Sequence, residues 1–299
     1  MRNANVERPQ TMNFYFTIDV DWFPRSHGGL LRLYDFCERF HLKPTLFVTG
    51  RFADAFRELL CEASARGYEI GTHGWEHGLN RDEDFRSGTY NEQKRWLGLS
   101  TDAVVKATGK IPTAFRAPNL SISETTLRVL EEMHYTVDSS VPARRFDLGY
   151  GQVSNPRYFM APLRPYHPSL RNLAREGSSP VLEVPPSAFL VPINMSSLRM
   201  LGLATVKWAI RRIAKRSSIL VFYGHPAEFE FSQTLQMPPE LPARYRKGLG
   251  PCNLDLLGRF VAYVFSLGYV SASFSAVLGN GDGRDTTSKV PEPSAISLH

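Results

Sequence analysis

Short apolar runs alternate with amphipathic segments along most of the chain. Runs of β-branched and aromatic residues between turn residues are typical of buried strands, whereas apolar residues spaced three and four apart indicate helices. This pattern predicts strands at Asn13–Ile18, Thr45–Thr49, Tyr68–Ile70, Thr113–Phe115, Tyr135–Val137, Val181–Val184, Ile219–Tyr223 and Tyr269–Ala272. It predicts helices at Gly29–Phe40, Asp54–Arg66, Asn91–Thr108, Ser123–Met133, Ser197–Arg216 and Leu254–Leu267.

The order of these elements predicts an α/β fold built on a parallel sheet. Strands and helices alternate at the spacing of βαβ units, and seven or eight strands favour a barrel. The segment 141–180 is rich in Pro, Arg, Tyr and Gly, and we expect it to form long loops that shape a substrate groove. We expect a flexible N-terminus over residues 1–12, a folded domain over residues 13–278 and a disordered tail over residues 279–299, which has few apolar side chains to offset the entropy of ordering.

Composition excludes several classes of protein. The chain has 299 residues, 42% of them hydrophobic, and its three cysteines form no CxxC pair, so a disulfide framework or a thiolate zinc site is not expected. It has no run of eighteen apolar residues that would span a membrane, and its first residues lack the apolar core of a secretory signal, which together predict a cytoplasmic protein. The net charge of +6 is mild, and no aromatic and basic motif for nucleic acid is present.

Polar residues with catalytic chemistry recur where predicted strands end. The carboxyl ends of parallel barrel strands lie on one face, where barrel enzymes place their active sites. We therefore expect the side chains that follow five of these strands to converge on one site. They are Asp19, Asp21, His73, His77, Arg116, Asp138 and His225.

A metal site is predicted from three of these residues. The HxxxH sequence from His73 to His77 places two imidazoles on one face of a helical turn, where both reach one ion. Asp21 completes a set of two histidines and one carboxylate, which is the pattern of catalytic rather than structural zinc. Taken alone, the HxxxH sequence fits two loop histidines with local hydrogen bonds equally well.

The other candidates fit proton transfer beside that ion. Asp19 lies two residues before Asp21, so one carboxylate binds the metal while the other faces a water molecule. Arg116 beside Asp19 keeps that carboxylate ionised, and His225 after a very apolar strand suits a general acid. Each also has a plain structural interpretation: a solvated acidic turn, a surface arginine and a structural histidine.

Five motifs in order resemble the polysaccharide deacetylase family, which has the NodB-homology fold and is also called carbohydrate esterase family 4. They are DVD at 19–21 after Ile18, HGWEH at 73–77, RAP at 116–118, DSS at 138–140 and HPAEF at 225–229. The resemblance extends from about residue 13 to residue 278 and implies a distorted (β/α) barrel of about seven parallel strands. It implies metal ligation by Asp21, His73 and His77, with Zn²⁺ as the first choice and Co²⁺ or Ni²⁺ as ions that suit the same ligands.

The resemblance also implies roles for the remaining residues. Asp19 matches the catalytic base, Arg116 the residue that orients it, His225 the catalytic acid and Asp138 the aspartate that orients this histidine. The function implied is hydrolysis of an N-acyl group, acetyl first, from an amino sugar in a polysaccharide or glycan precursor. Three departures are visible: the Asp-x-Asp spacing, Leu120 where the arginine motif usually has glycine, and Tyr223 where the acyl pocket usually has leucine.

Two alternatives remain open. The first is a deformylase or another non-peptide C–N hydrolase acting on a lipid-linked amino sugar or a cyclic amide, which Tyr223 allows by reshaping the pocket. The second is an inactive glycan-binding module. The presence of both the candidate base Asp19 and the candidate acid His225 argues against it.

The helix Leu198–Arg216 suggests a partner. Its apolar residues share one face and its basic residues the other, which fits peripheral contact with an anionic membrane surface at the inner face of a membrane. An outer barrel helix with a solvated basic face explains the same pattern better, because barrel helices are amphipathic in any case.

Overall fold

A computed structural model of the chain describes residues 11–22, 27–77, 83–145, 156–230 and 248–279. The expectations for residues 1–10 and 280–299 lie outside the described residues. The strands are β1 Met12–Val20, β2 Thr45–Val48, β3 Glu69–Thr72, β4 Ala114–Phe115, β5 Val137–Asp138, β6 Pro168–Ser169, β7 Asn172–Glu176, β8 Leu182–Glu183, β9 Ala188–Phe189, β10 Val191–Pro192, β11 Ile219–Gly224 and β12 Tyr269–Ser271. The helices are α1 His27–Arg39, α2 Gly50–Ala55, α3 Arg57–Ala65, α4 Tyr90–Thr108, α5 Glu124–Glu132, α6 Met195–Ile213, α7 Asn253–Ser266 and α8 Ser275–Gly279.

The main sheet is parallel and curls into a half-barrel, which confirms the predicted fold class. Its strand order is β11-β1-β2-β3-β4-β5-β8, and β12 also pairs with the first residues of β1. After β8, the chain contacts β11 at Ser187. The Ser187 N–H donates to the Val221 carbonyl, and the Ser187 hydroxyl accepts from the Val221 N–H. This contact spans the seam between the two ends of the sheet.

Both faces of the central strands are buried, which explains their continuous apolar sequence. Alternate side chains of a strand point to opposite faces. In β1, Phe14, Phe16 and Ile18 belong to the main core, together with apolar residues of α1, α6 and α7. Tyr15 belongs to a second cluster with side chains such as Phe47, inside the curl of the sheet. Packing on both faces therefore fixes the register of β1 and the position of the residues at its end.

The structure differs from the predicted elements in two places. The predicted helix Asp54–Arg66 is two helices, α2 and α3, separated at Phe56, and the first begins at Gly50, directly after β2. The Gly50 N–H donates to the Gly74 carbonyl at 2.9 Å, whereas the side chain of the N-cap residue Thr49 makes no capping hydrogen bond, so a tertiary contact starts the helix. The predicted long loops of 141–180 contain the antiparallel pair β6–β7, and β9–β10 form a second short hairpin.

Candidate active site

The carboxyl ends of β1, β3, β4 and β11 bring six of the seven predicted side chains together. Asp19 and Asp21 lie at the end of β1, His73 follows β3, and Arg116 follows β4. All four are buried, as expected for side chains directed across the mouth of a curled sheet. His77 and His225 are partly exposed and lie beside them.

Three side chains form a cluster that fits a metal ion. One potential ligand atom from each of Asp21, His73 and His77 lies within 4.8 Å of the other two. The Oδ1 atom of Asp21 is buried and lies 3.5 Å from Nε2 of His73, and among the described residues it has no hydrogen-bond partner. Two ligands bound about 2.1 Å from one tetrahedral zinc ion would lie about 3.4 Å apart. The cluster therefore fits a divalent ion, in both its donor chemistry and its spacing.

The surroundings of His73 prepare its ring for ligation. Its Nδ1 lies 2.7 Å from the Arg116 carbonyl oxygen, to which it donates when protonated. This hydrogen bond leaves Nε2 as the ligand atom, on the side of Asp21. Burial lowers the pKa of His73 against the opposing charges of Asp19 and Asp21, which favours the neutral ring that binds metals.

The segment between the two histidines is a loop, and the prediction of a helical turn there is wrong. Gly74 has a positive φ of 74°, which turns the chain. The carboxylate of Glu83 accepts the N–H of Trp75 at 2.6 Å and also that of Glu76. Burial raises the pKa of Glu83 to about 7, and these two hydrogen bonds oppose the rise. Glu83 therefore braces the loop that presents His77, a role the sequence pattern did not reveal.

Asp19 is held by the most buried cation among the described residues. Nη1 of Arg116 donates to Oδ1 of Asp19 and to the Thr17 hydroxyl, both at 2.7 Å. Its Nε and Nη2 donate to the Ser139 carbonyl at 3.0 Å and the Ser139 hydroxyl at 2.8 Å. Burial opposes ionisation of Asp19, but the charge of Arg116 and its hydrogen bond outweigh burial and lower the pKa of this carboxyl. The predicted pairing of Arg116 with Asp19 is thus present.

His225 lies on the other side of Asp21, and its carboxylate neighbour is not the predicted one. Its Nε2 is 3.9 Å from Oδ2 of Asp21, and its Nδ1 is 3.4 Å from Oε2 of Glu228. Burial opposes protonation, but the hydrogen bond with Glu228 and the charge of Asp21 raise the pKa of His225 to about 9. The sequence reasoning missed Glu228, although the HPAEF motif contains it.

Asp138 lies at the end of β5, where its described contacts are with residues other than His225. It accepts the hydroxyl of Ser140 and faces the buried carboxyl of Glu183. Burial raises the pKa of Asp138 to about 6 and that of Glu183 well above its ordinary value, because two carboxyls share one apolar space. The described hydrogen bonds and ion pairs include none between Asp138 and His225, so its predicted part in orienting that histidine has no support in the geometry.

Tyr223 lies near both Arg116 and the candidate acid His225. Its hydroxyl accepts from Nη1 of Arg145 at 2.9 Å, and its ring centroid lies 5.5 Å from the guanidinium carbon of Arg116. The ring centroid of His225 is 6.2 Å away. A buried aromatic ring with a fixed hydroxyl therefore occupies this position.

Comparison with known proteins agrees with the motifs. Residues 8–137 match the family model described as polysaccharide deacetylase, and this range contains Asp19, Asp21, His73, His77 and Arg116. The resemblance stated from the sequence is thus confirmed for residues 8–137, which are less than half of the chain. Asp138 and His225 lie beyond the matched range.

Two curated proteins are similar to part of the chain. A peptidoglycan deacetylase from Helicobacter pylori is 28% identical over 127 residues, which are 42% of each chain. A protein from Geobacillus stearothermophilus is 26% identical over 128 residues, which are 45% of that protein. The chain thus spans less than half of the length of the curated relatives it matches.

Solved structures share the fold over nearly the whole chain. A candidate polysaccharide deacetylase from Mycobacterium smegmatis is 17% identical with a TM-score of 0.53, covering 91% of this chain and 96% of that one. A pseudoenzyme of carbohydrate esterase family 4 from Bacillus anthracis is 11% identical with a TM-score of 0.54, covering 91% of this chain and 66% of that one. At these identities the likeness shows the fold, and the fold occurs both with and without activity.

Proposed function

We propose that this protein is a metal-dependent carbohydrate N-deacetylase that hydrolyses the N-acyl group of an amino sugar in a polysaccharide or glycan precursor. The match of residues 8–137 to the polysaccharide deacetylase family supports this reaction class. The observation that carries the proposal is the position of Asp21 in the site. One of its oxygens faces His73, and the other faces His225 across 3.9 Å. Asp19, fixed by Arg116, lies two residues earlier on the same strand end.

The metal set fits one divalent ion. Asp21, His73 and His77 would hold it, with Zn²⁺ as our first choice and Co²⁺ or Ni²⁺ as ions compatible with the same ligands. Such an ion supplies Lewis-acid polarisation of the amide carbonyl and lowers the pKa of a water molecule.

The protein groups divide the proton transfers between two sides of the ion site. Asp19, kept ionised by Arg116, accepts a proton from the water that attacks the amide carbon. The backbone N–H of Asn119, in the turn directly after β4, is our candidate donor to the developing oxyanion. His225 donates a proton to the departing nitrogen as the C–N bond breaks, which releases a free amine and the carboxylic acid.

Elemental analysis of the purified protein tests the metal site first. We expect about one divalent ion per chain, as for one closed set of ligands, and its loss in Asp21→Ala and His77→Ala. Asp54→Ala, an exposed aspartate on α2, is the matched control and should keep the ion. An Asp21→Ala variant that retains full metal content and activity would refute the assignment.

We propose that Tyr223 shapes the pocket for the acyl group. A tyrosine whose hydroxyl is held by Arg145 is bulkier than the usual leucine, which favours a small acyl group and makes N-formyl substrates a specific alternative. The alternative hypothesis, a deformylase or other non-peptide C–N hydrolase acting on a lipid-linked amino sugar or a cyclic amide, requires the same metal ligands. Comparing N-formyl and N-acetyl amino sugars with the wild type and with Tyr223→Leu decides between them. A preference for N-formyl that shifts toward N-acetyl in the variant supports the deformylase.

An inactive glycan-binding module is the alternative from another class, and a family pseudoenzyme with this fold exists. Undetectable hydrolysis of a broad N-acyl sugar panel, with tight glycan binding retained, would favour it. No metal in the wild type after addition of zinc would point the same way.

The basic side of α6 supports a second proposal, peripheral contact with an anionic membrane surface. Arg211 and Arg212 are exposed there, and Trp208, at 37% exposure, lies beside them on the same helix. Basic residues with an interfacial aromatic are typical of helices that bind anionic lipid. Among the described residues, no helix combines the length and the apolar character needed to cross a bilayer. Flotation with anionic vesicles tests the contact: Arg211→Glu/Arg212→Glu should abolish binding, and the exposed Arg175→Glu should not.

A further inference from the structure

His225 has two ring nitrogens with different surroundings. Nε2 faces the metal cluster, 3.9 Å from Oδ2 of Asp21. Nδ1 faces away from it, 3.4 Å from Oε2 of Glu228. The tautomer of a histidine is set by the hydrogen bond at its second nitrogen. The group that holds Nδ1 therefore decides which nitrogen carries the proton on the side of the substrate.

Glu228 is built into the structure at both of its oxygens. Oε1 accepts a hydrogen bond from the hydroxyl of Ser196 at 2.9 Å and another from Nη2 of Arg199 at 3.2 Å, both in the N-terminal part of α6. Oε2 accepts the backbone N–H of His225 at 3.1 Å in addition to the ring nitrogen. The side chains of Glu228 and Arg199 are each only 6% exposed. Oε1 is thus hydrogen-bonded to side chains of α6, while Oε2 contacts His225.

The surroundings of Glu228 also keep its carboxyl group ionised. Burial raises the pKa of this carboxyl, but the hydrogen bond with His225 and the positive charges of His225 and Arg199 outweigh burial and lower it. An ionised acceptor at Nδ1 stabilises the imidazolium form of the ring. Asp138, by contrast, is directed to Ser140 and Glu183 at the end of β5.

We propose that Glu228 is the positioning residue for His225, in the place that sequence comparison assigned to Asp138. The Nδ1–H donates to Glu228, so the transferable proton lies on Nε2, on the side of Asp21. This role rests on the proposed function, because His225 is the candidate acid of that reaction. The link to Ser196 and Arg199 also means that α6 holds the acid, whereas the metal ligands belong to the first half of the chain.

The test combines kinetics with ¹⁵N NMR of the histidine ring in the zinc-loaded full-length protein. The substrate panel contains N-acetyl and N-formyl glucosamine oligosaccharides. We expect Glu228→Gln to lower kcat about 10- to 100-fold with little change in KM, as for other residues that orient a histidine through its second nitrogen. Glu228→Asp should recover part of the loss. Glu176→Gln, an exposed carboxylate on β7, is the matched control and should keep wild-type kcat.

The NMR measurement reports the tautomer of the His225 ring and does not depend on enzymatic activity. Ring signals of His225, assigned by their loss in His225→Gln, should show a protonated Nδ1 in the wild type, and Glu228→Ala should move that proton toward Nε2 in the neutral ring. Asp138→Asn should leave the ring tautomer unchanged. A tautomer that follows Asp138→Asn instead, or a Glu228→Gln variant with wild-type kcat and ring signals, overturns the assignment. A wild type without hydrolysis refutes the proposed function, while the ring signals still decide whether Glu228 positions His225.

Discussion

Replacing Arg116 with methionine should destabilise the protein strongly, because it leaves the carboxylate of Asp19 buried without its cation. The guanidinium is fully buried and donates four hydrogen bonds, to Asp19, Thr17 and both oxygens of Ser139. Methionine fills much of the same volume but donates none of them. The change therefore isolates the polar contacts from the packing.

The expected magnitude follows from the burial of the pair. Removing one partner of a buried ion pair costs about 3–5 kcal/mol of unfolding free energy, because the other charge remains in an apolar site. For a domain of this size that loss lowers Tm by about 6–20 °C. The double variant Asp19→Asn/Arg116→Met should be at least about 1 kcal/mol more stable than Arg116→Met alone, since it has no buried anion.

These free energies are measured by urea unfolding of the metal-free protein, because a bound cation would offset the negative charge of Asp19. The m-value should stay constant across the variants, so that midpoints report stability. A cost below about 1 kcal/mol for Arg116→Met would show that the pair does not stabilise the fold in the way expected of a buried ion pair. A double variant no more stable than the single one would show that the unpaired charge is not the cause.

Three further changes test other parts of the structure. The unfolding free energy should fall as pH rises through about 6, because burial raises the pKa of Asp138 to about 6 and that of Glu183 further, so the folded pair holds protons that the unfolded chain has released. Glu183→Gln should flatten this fall in urea titrations at pH 5 to 9, and an unchanged slope would remove the pair as its source. Gly29→Ala places a Cβ 2.0 Å from the Pro226 carbonyl oxygen, beside His225, and should lower stability by about 1–3 kcal/mol and kcat with it. Among the described residues, the Cβ of Gly98→Ala on α4 meets no atom within 4 Å outside the backbone of its own helix, and the change should stabilise the protein by about 0.4–1 kcal/mol in the same assay.

The sequence predicted the fold and the convergence of the site because both depend on local patterns. Apolar runs reveal buried strands, and β1, β2 and β11 lie within two residues of their predicted bounds at each end. Residues placed just after such strands meet at one edge of a parallel sheet, whatever the details of the connections. Asp21 and His73 therefore lie together, although 52 residues separate them along the chain.

The misses share one cause, which is that they depend on the directions of side chains and backbone groups, and only the folded chain sets these directions. The start of α2 at Gly50 depends on the Gly74 carbonyl, and the brace on the HxxxH loop comes from Glu83. The carboxylate beside His225 was assigned to Asp138, whereas Glu228 is three residues from His225 along the chain. A strand-end aspartate and a nearby glutamate are equally plausible in a sequence, and only the direction of the side chains separates them.

The position of β1 in the sheet has a consequence for how the chain is synthesised. One edge of β1 pairs with β11, and the hydroxyl of Thr17 donates to the Phe222 carbonyl across 205 positions. Until the ribosome has made β11, the nascent chain presents an apolar strand with an unpaired edge, which is a site for aggregation. The segment 8–137, although it matches a family model, is therefore not an independent folding unit, and fragments ending there should bind chaperones or precipitate when expressed.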